Sequence, residues 1–100
     1  MSSNPPTGHF TILYFAFAAT FTKKSSEYLP APLEGPKLLE KLEKMYPGIK
    51  ARVLDTSAIT VNLDYVDLEG HAEEDEKHLI STLVIKEGDE VAIIPPVSSG

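Results

Sequence analysis

Few residues in this sequence stand where they could do chemistry together. Cysteine is absent, which removes a thiol nucleophile, a thiolate zinc site and a Cys-ligated iron–sulfur cluster. His71, Asp75 and His78 fall at i, i+4 and i+7, a spacing that on a helix would present three metal ligands to one side. They lie among Glu73, Glu74 and Glu76, and read as a solvated acidic insertion with two incidental histidines rather than a metal site. Ser98 and Ser99 have no histidine nearby in sequence to activate a hydroxyl, and no glycine-rich phosphate loop is present. What is left is the α-carboxylate of Gly100.

A carboxylate becomes an acyl donor only once it carries a good leaving group. Adenylation by ATP would supply AMP as that group. A sulfur nucleophile displacing AMP would leave a C-terminal thiocarboxylate, a carried sulfur atom that needs no cysteine. A lysine amine in its place would leave a ubiquitin-type conjugate. Both routes favour glycine at the end, where a side chain would obstruct the adenylating pocket. Both leave the catalysis to other proteins.

The stretch before Gly100 has the form of a stalk. After the turn Lys86-Glu87-Gly88-Asp89, Glu90 to Ile94 reads as a strand, with Val91 and Ile93 inward and Ala92 and Ile94 on the other face. Pro95 and Pro96 cannot donate to a ladder, so the strand must end there, and both favour an extended polyproline II course. Val97, Ser98, Ser99 and Gly100 would then reach about 13 Å, at roughly 3.3 Å per residue. A frayed chain end has the same composition.

Upstream, residues 1–9 are small, polar and proline-bearing and read as a disordered lead-in. Phe10 to Phe17 reads as a strand, apolar on both faces, with Ile12, Tyr14 and Ala16 on one side and Leu13, Phe15 and Phe17 on the other. Thr20 to Ser26 reads as a turn and Glu27-Tyr28-Leu29 as a second strand, confined to an edge by Pro30 and Pro32. Lys37 to Tyr46 is an amphipathic helix, entered at Gly35-Pro36 and stopped by Pro47-Gly48. Its apolar face is Leu38, Leu39, Leu42, Met45 and Tyr46. A short helical turn around Ala51 to Leu54, a strand from Ile59 to Leu63, a bend at Asp64 and a return strand at Tyr65 to Leu68 follow. The charged insertion spans about 70–81, and Leu83-Val84-Ile85 precedes the final turn.

Strand, strand, helix, strand, short strand, strand is the α+β order of a β-grasp: a mixed sheet on one main helix. The crossover through the helix lets the last strand lie parallel to the first in mid-sheet. Leu13 and Phe15 would then flank Ala92 and Ile94 on the face away from the helix, bordered by Tyr65, as a surface for a partner. This gives a lead-in, a β-grasp domain over residues 10–96, and a functional tail over 97–100.

One hundred residues suit one domain. A net charge of −6 leaves no basic run to neutralise phosphates, so nucleic acid is not expected as a partner. No basic n-region precedes an apolar run, and Phe10 to Phe21 is too short for a membrane span. A cytosolic protein is expected.

The run Gly88-Asp89-Glu90-Val91-Ala92-Ile93-Ile94-Pro95-Pro96-Val97-Ser98 is similar to that of the molybdopterin synthase small-subunit family. Leu13-Tyr14-Phe15-Ala16 and Tyr46-Pro47-Gly48 add to the resemblance. It covers most of Phe10 to Gly100, and the tail motif is its most specific part. The resemblance implies a β-grasp, ubiquitin-like fold and a terminal glycine that is adenylated, then thiocarboxylated. An E1-like adenylyltransferase and sulfurtransferase would use ATP for this, and no cofactor would be bound stably. It implies a tail that enters the large catalytic subunit and gives sulfur to precursor Z (cyclic pyranopterin monophosphate) to form molybdopterin. It also implies that Phe15, Tyr65 and Ile94 face the partner. The family normally ends Gly-Gly, whereas Ser99 precedes Gly100 here; an extended conformation is open to serine, so its tolerance is expected. Other β-grasp sulfur carriers, a ubiquitin-related modifier and a passive interaction domain are the rival readings.

Overall fold

The computed structural model describes residues 4–68 and 79–97. A five-stranded sheet runs in the order β2-β1-β7-β4-β5. Its strands are β1 (His9–Tyr14), β2 (Ser26–Pro30), β4 (Ala58–Val61), β5 (Asp64–Val66) and β7 (Glu90–Ile94). A separate two-stranded ribbon pairs β3 (Leu33–Glu34) with β6 (Val84–Ile85). The sequence pattern did not reveal β3, because two residues are too few to display a period. The helices are α1 (Phe17–Thr22), α2 (Gly35–Met45) and α3 (Ile49–Arg52).

The expected centre is observed. β7 lies parallel to β1, with Leu13 opposite Ala92, and antiparallel to β4, with Thr60 opposite Ala92. Val91 and Ile93 are fully buried and Ala92 nearly so, as the continuous apolar run of a central strand requires. β2 pairs antiparallel with β1 at the sheet edge, where Pro30 leaves no interior ladder bond unmade. Leu38 and Leu42 of α2 are fully buried with Phe10, Ile12, Ile59 and Ile93 in a single core.

The first strand is shorter than expected, and a helix follows it. β1 begins at His9, and Gly8 N–H donates to Glu87 Oε2 at 2.8 Å, so the expected lead-in boundary falls inside the sheet. At the other end the ladder closes with Phe15 N–H donating to Ile93 O at 3.1 Å. Ala16 then adopts φ 50° and ψ −129°, which turns the chain out of the sheet and into α1. Ala18 is fully buried there, and Thr22 Oγ1 donates to Ala18 O at 2.9 Å. The aromatic alternation of Phe15 and Phe17 masked a helix whose signal lay in Ala18 and Ala19.

β4 stops at Val61, and the bend expected at Asp64 lies one to two residues earlier, at Leu63 and Asn62, both with positive φ. The helical turn near Ala51 is α3, followed by a 3₁₀ turn at Leu54–Thr56. Glu43 joins α2 to α3: its carboxylate accepts from Gly48 N–H at 2.8 Å and Lys50 N–H at 3.0 Å. Those two hydrogen bonds hold the Glu43 carboxyl below the usual carboxylate range.

Candidate functional site: the open sheet face and the root of the tail

Pairing register fixes which residues share the face turned away from α2. One row crosses every strand of the main sheet: Ser26, Leu13, Ala92, Thr60 and Tyr65. A second pair, Ala58 and Ile94, adjoins the point where β7 ends. Phe15 leaves the ladder beside Ile93 and is 46% exposed, Ile94 is 36% exposed and Tyr65 is 69% exposed. Leu13 is half-buried, and Ala92 is buried among its cross-strand neighbours. The expected surface is therefore assembled on one face. Phe15, Ile94 and Tyr65 supply its accessible area, while Leu13 and Ala92 form its floor.

The tail starts from the same place. Ile94 is the last ladder residue, Pro95 is buried, Pro96 is exposed and Val97 is 79% exposed. Burial of Pro95 was not legible from the sequence, which marks the end of the ladder but not what packs on the ring. It anchors the root, so the chain leaves mid-sheet from a fixed point beside Ile94 and Phe15. Ser98, Ser99 and Gly100 lie outside the described residues, as do His71, Asp75 and His78. Among the described residues no group of three or more His, Cys, Asp or Glu could hold a metal ion, and no helix is long and apolar enough to cross a membrane.

On the core side of β2 the chain builds a polar cluster that the sequence reading missed. Glu27 Oε2 accepts from Tyr14 Oη and from Tyr46 Oη, each at 2.7 Å, and Lys24 Nζ reaches Glu27 Oε1 at 2.9 Å. The Lys24 ammonium also lies 5.7 Å from the Tyr46 ring centre. Burial would raise the Glu27 pKa, but hydrogen bonds from Tyr14, Tyr46 and Lys24 outweigh it and hold the carboxyl below its usual range. Burial, and then the bond to Glu27, pushes the Tyr14 hydroxyl far up and the Tyr46 hydroxyl up. A carboxylate so fully occupied by donors fastens β2, β1 and the end of α2 together and has no group left to offer a substrate.

Sequence comparison matches residues 12–100 to the ThiS family. The chain belongs to the ThiS family. Its fold is the β-grasp, ubiquitin-like architecture of that family, as the sheet order and crossover helix require. A molybdopterin synthase sulfur carrier subunit from Phaeosphaeria nodorum is 58% identical over 100 residues, covering 99% of this chain and 98% of the relative. Among solved structures, the small archaeal modifier protein SAMP1 of Haloferax volcanii has a TM-score of 0.68 at 20% identity, covering 93% of this chain and 100% of that one. Subunits 1 and 2 of the molybdopterin-converting factor from Helicobacter pylori were solved as a complex. A chain of that complex has a TM-score of 0.57 at 21% identity, covering 92% of this ThiS-family chain and 99% of its own. At those identities the two structures speak for the fold.

Proposed function

We propose that this chain is the sulfur carrier subunit of a molybdopterin synthase. The observation that carries the reading is the route of β7: a central strand that ends at a buried proline and releases Val97 to solvent beside an apolar sheet face. The high identity to a carrier subunit over nearly the whole length supports the same role. Gly100 supplies the reactive carboxyl. An E1-like enzyme adenylates it with ATP, a sulfur nucleophile displaces AMP, and the resulting thiocarboxylate is carried to the large subunit. There the tail delivers sulfur to precursor Z, and water supplies the oxygen that returns Gly100 to a carboxylate. Pro95, Pro96, Val97, Ser98 and Ser99 form the stalk, which needs small side chains at its end to thread a narrow channel.

The large subunit covers Phe15, Tyr65 and Ile94. Burying an aliphatic or aromatic side chain of this kind is worth about 1.5–3 kcal/mol, so a charge placed there should be felt strongly. Among the described residues no group of three or more His, Cys, Asp or Glu could hold a metal ion, and we assign the catalysis of transfer to the partner. The cytosol, where ATP is at hand, is the compartment we assign.

Intact-mass spectrometry tests the central step. With the activating enzyme, ATP and a sulfur donor, the chain is expected to gain the mass of sulfur in place of one oxygen. Deletion of Gly100 should abolish the gain. Loading of the truncated chain, or conjugation to lysines in place of loading, would refute the carrier reading. Ile94→Asp is expected to weaken association with the large subunit at least about tenfold.

A further inference from the structure

Among the described residues no large apolar side chain is more exposed than Leu63, at 84%. It occupies the second central position of the two-residue turn between β4 and β5, where Val61 pairs with Asp64. Asn62 has φ 51° and Leu63 has φ 75°. Two positive φ values in succession define a type I′ turn, for which Asn-Gly is the favoured pair. A leucine in the second place is strained through its Cβ and recovers nothing by burial. In the isolated chain this residue is a cost twice over.

The turn is nevertheless firmly held. Asn62 Nδ2 donates to Asp89 Oδ1 at 3.0 Å, Glu90 N–H donates to Asn62 Oδ1 at 2.9 Å, and Asn62 N–H donates to Glu90 O at 2.8 Å. These bonds clamp it to the start of β7. Leu63 is thus an exposed apolar side chain on a fixed backbone. Along the chain it stands two residues before Tyr65, whose row leads through Thr60 to Ala92. Register also locates it at the Val61–Val91 end of the sheet, opposite the Ala58–Ile94 end from which the tail departs.

We propose that Leu63 is a second docking anchor, inserted into an apolar pocket of the large subunit at the end of the sheet face remote from the tail. This rests on the carrier reading above and extends it. Grip at both ends of the face would fix the direction in which β7 points, and hence where the tail enters. The occupant is a protein pocket because Leu63 adjoins the exposed Tyr65, which the carrier reading turns to the large subunit, and an isolated side chain at 84% exposure lines no cleft for a small ligand.

Leu63→Gly provides a test in which fold and docking move oppositely. It completes the Asn-Gly pair, so the thermal midpoint should hold or rise, while titration calorimetry of the full chain with the cognate large subunit should give a Kd raised about tenfold. Leu63→Asn, which also tolerates the left-handed region, should do the same. An unchanged Kd in both variants overturns the anchor. So does a fall in midpoint together with a rise in Kd, which would make the role structural, or loss of self-association with the complex intact, which would make the occupant a second copy. Ile94→Asp separates the two readings: if it too leaves Kd unchanged, the sheet-face interface itself fails. If it weakens binding while the Leu63 variants do not, only the anchor fails.

Discussion

Glu27 shows how much one side chain can fasten when every oxygen it presents is used. Its side chain is 13% exposed, and it takes both tyrosine hydroxyls and the Lys24 ammonium. Glu27→Ala would leave the buried Tyr14 hydroxyl without its acceptor, a loss of about 1–3 kcal/mol, readable as a lower midpoint in urea. The same group sets part of the acid limb. Its folded pKa lies below its unfolded value. The stabilisation is therefore full above the unfolded value of about 4.3 and is lost as pH falls through the folded one. Glu27→Gln should flatten the dependence of stability on pH below about 4.3, measured by denaturation at a series of acid pH values. None of this was legible beforehand. Glu27 reads as one more acid on an edge strand, and its partners Tyr14 and Tyr46 come to it only through strand pairing and the return of α2.

At the scale of elements, α2 was the most legible part of the chain. Pro36 in its first turn, the apolar spacing of Leu38 and Leu42, and Pro47-Gly48 at its end are all local signals, and the helix runs Gly35–Met45 as they require. Its seat was not legible. Gly35 N–H donates to Leu83 O at 2.9 Å, and a Cβ added at Gly35 would run into the Ile80 carbonyl oxygen. That contact comes from the 3₁₀ turn Ile80–Thr82, far along the chain, and the obstacle is backbone that cannot swing aside. Gly35→Ala is therefore expected to destabilise by about 1–3 kcal/mol despite alanine's better helix propensity, measured as a shift in the unfolding midpoint. The β1–α1 junction teaches the converse. Alternating aromatics extended the apparent strand to Phe17, whereas the chain leaves the sheet at Ala16, where φ is positive.

Across the whole molecule, the sheet order puts the strand that carries the tail at the centre of the fold. Core stability and tail function are thereby separable: β7 is locked between β1 and β4 up to Ile94, while Val97 is already in solvent. Removing residues 98–100 should change stability by no more than roughly ±0.5 kcal/mol, as measured by thermal or chemical unfolding, while sulfur loading falls to nothing. A large drop in stability would mean that the tail is part of the core. Local signals alone specify the fold class, the main helix, the edge placement of β2 and the end of β7 at Pro95. Each follows from local period, from proline's missing donor or from a stop signal within a few residues. It took the folded chain to make Ala92 floor and Phe15, Tyr65 and Ile94 surface, to bury Pro95, and to hold Leu63 out in a strained turn. Those outcomes depend on which distant backbone lies alongside, and the range of a sequence pattern is one strand or one helix.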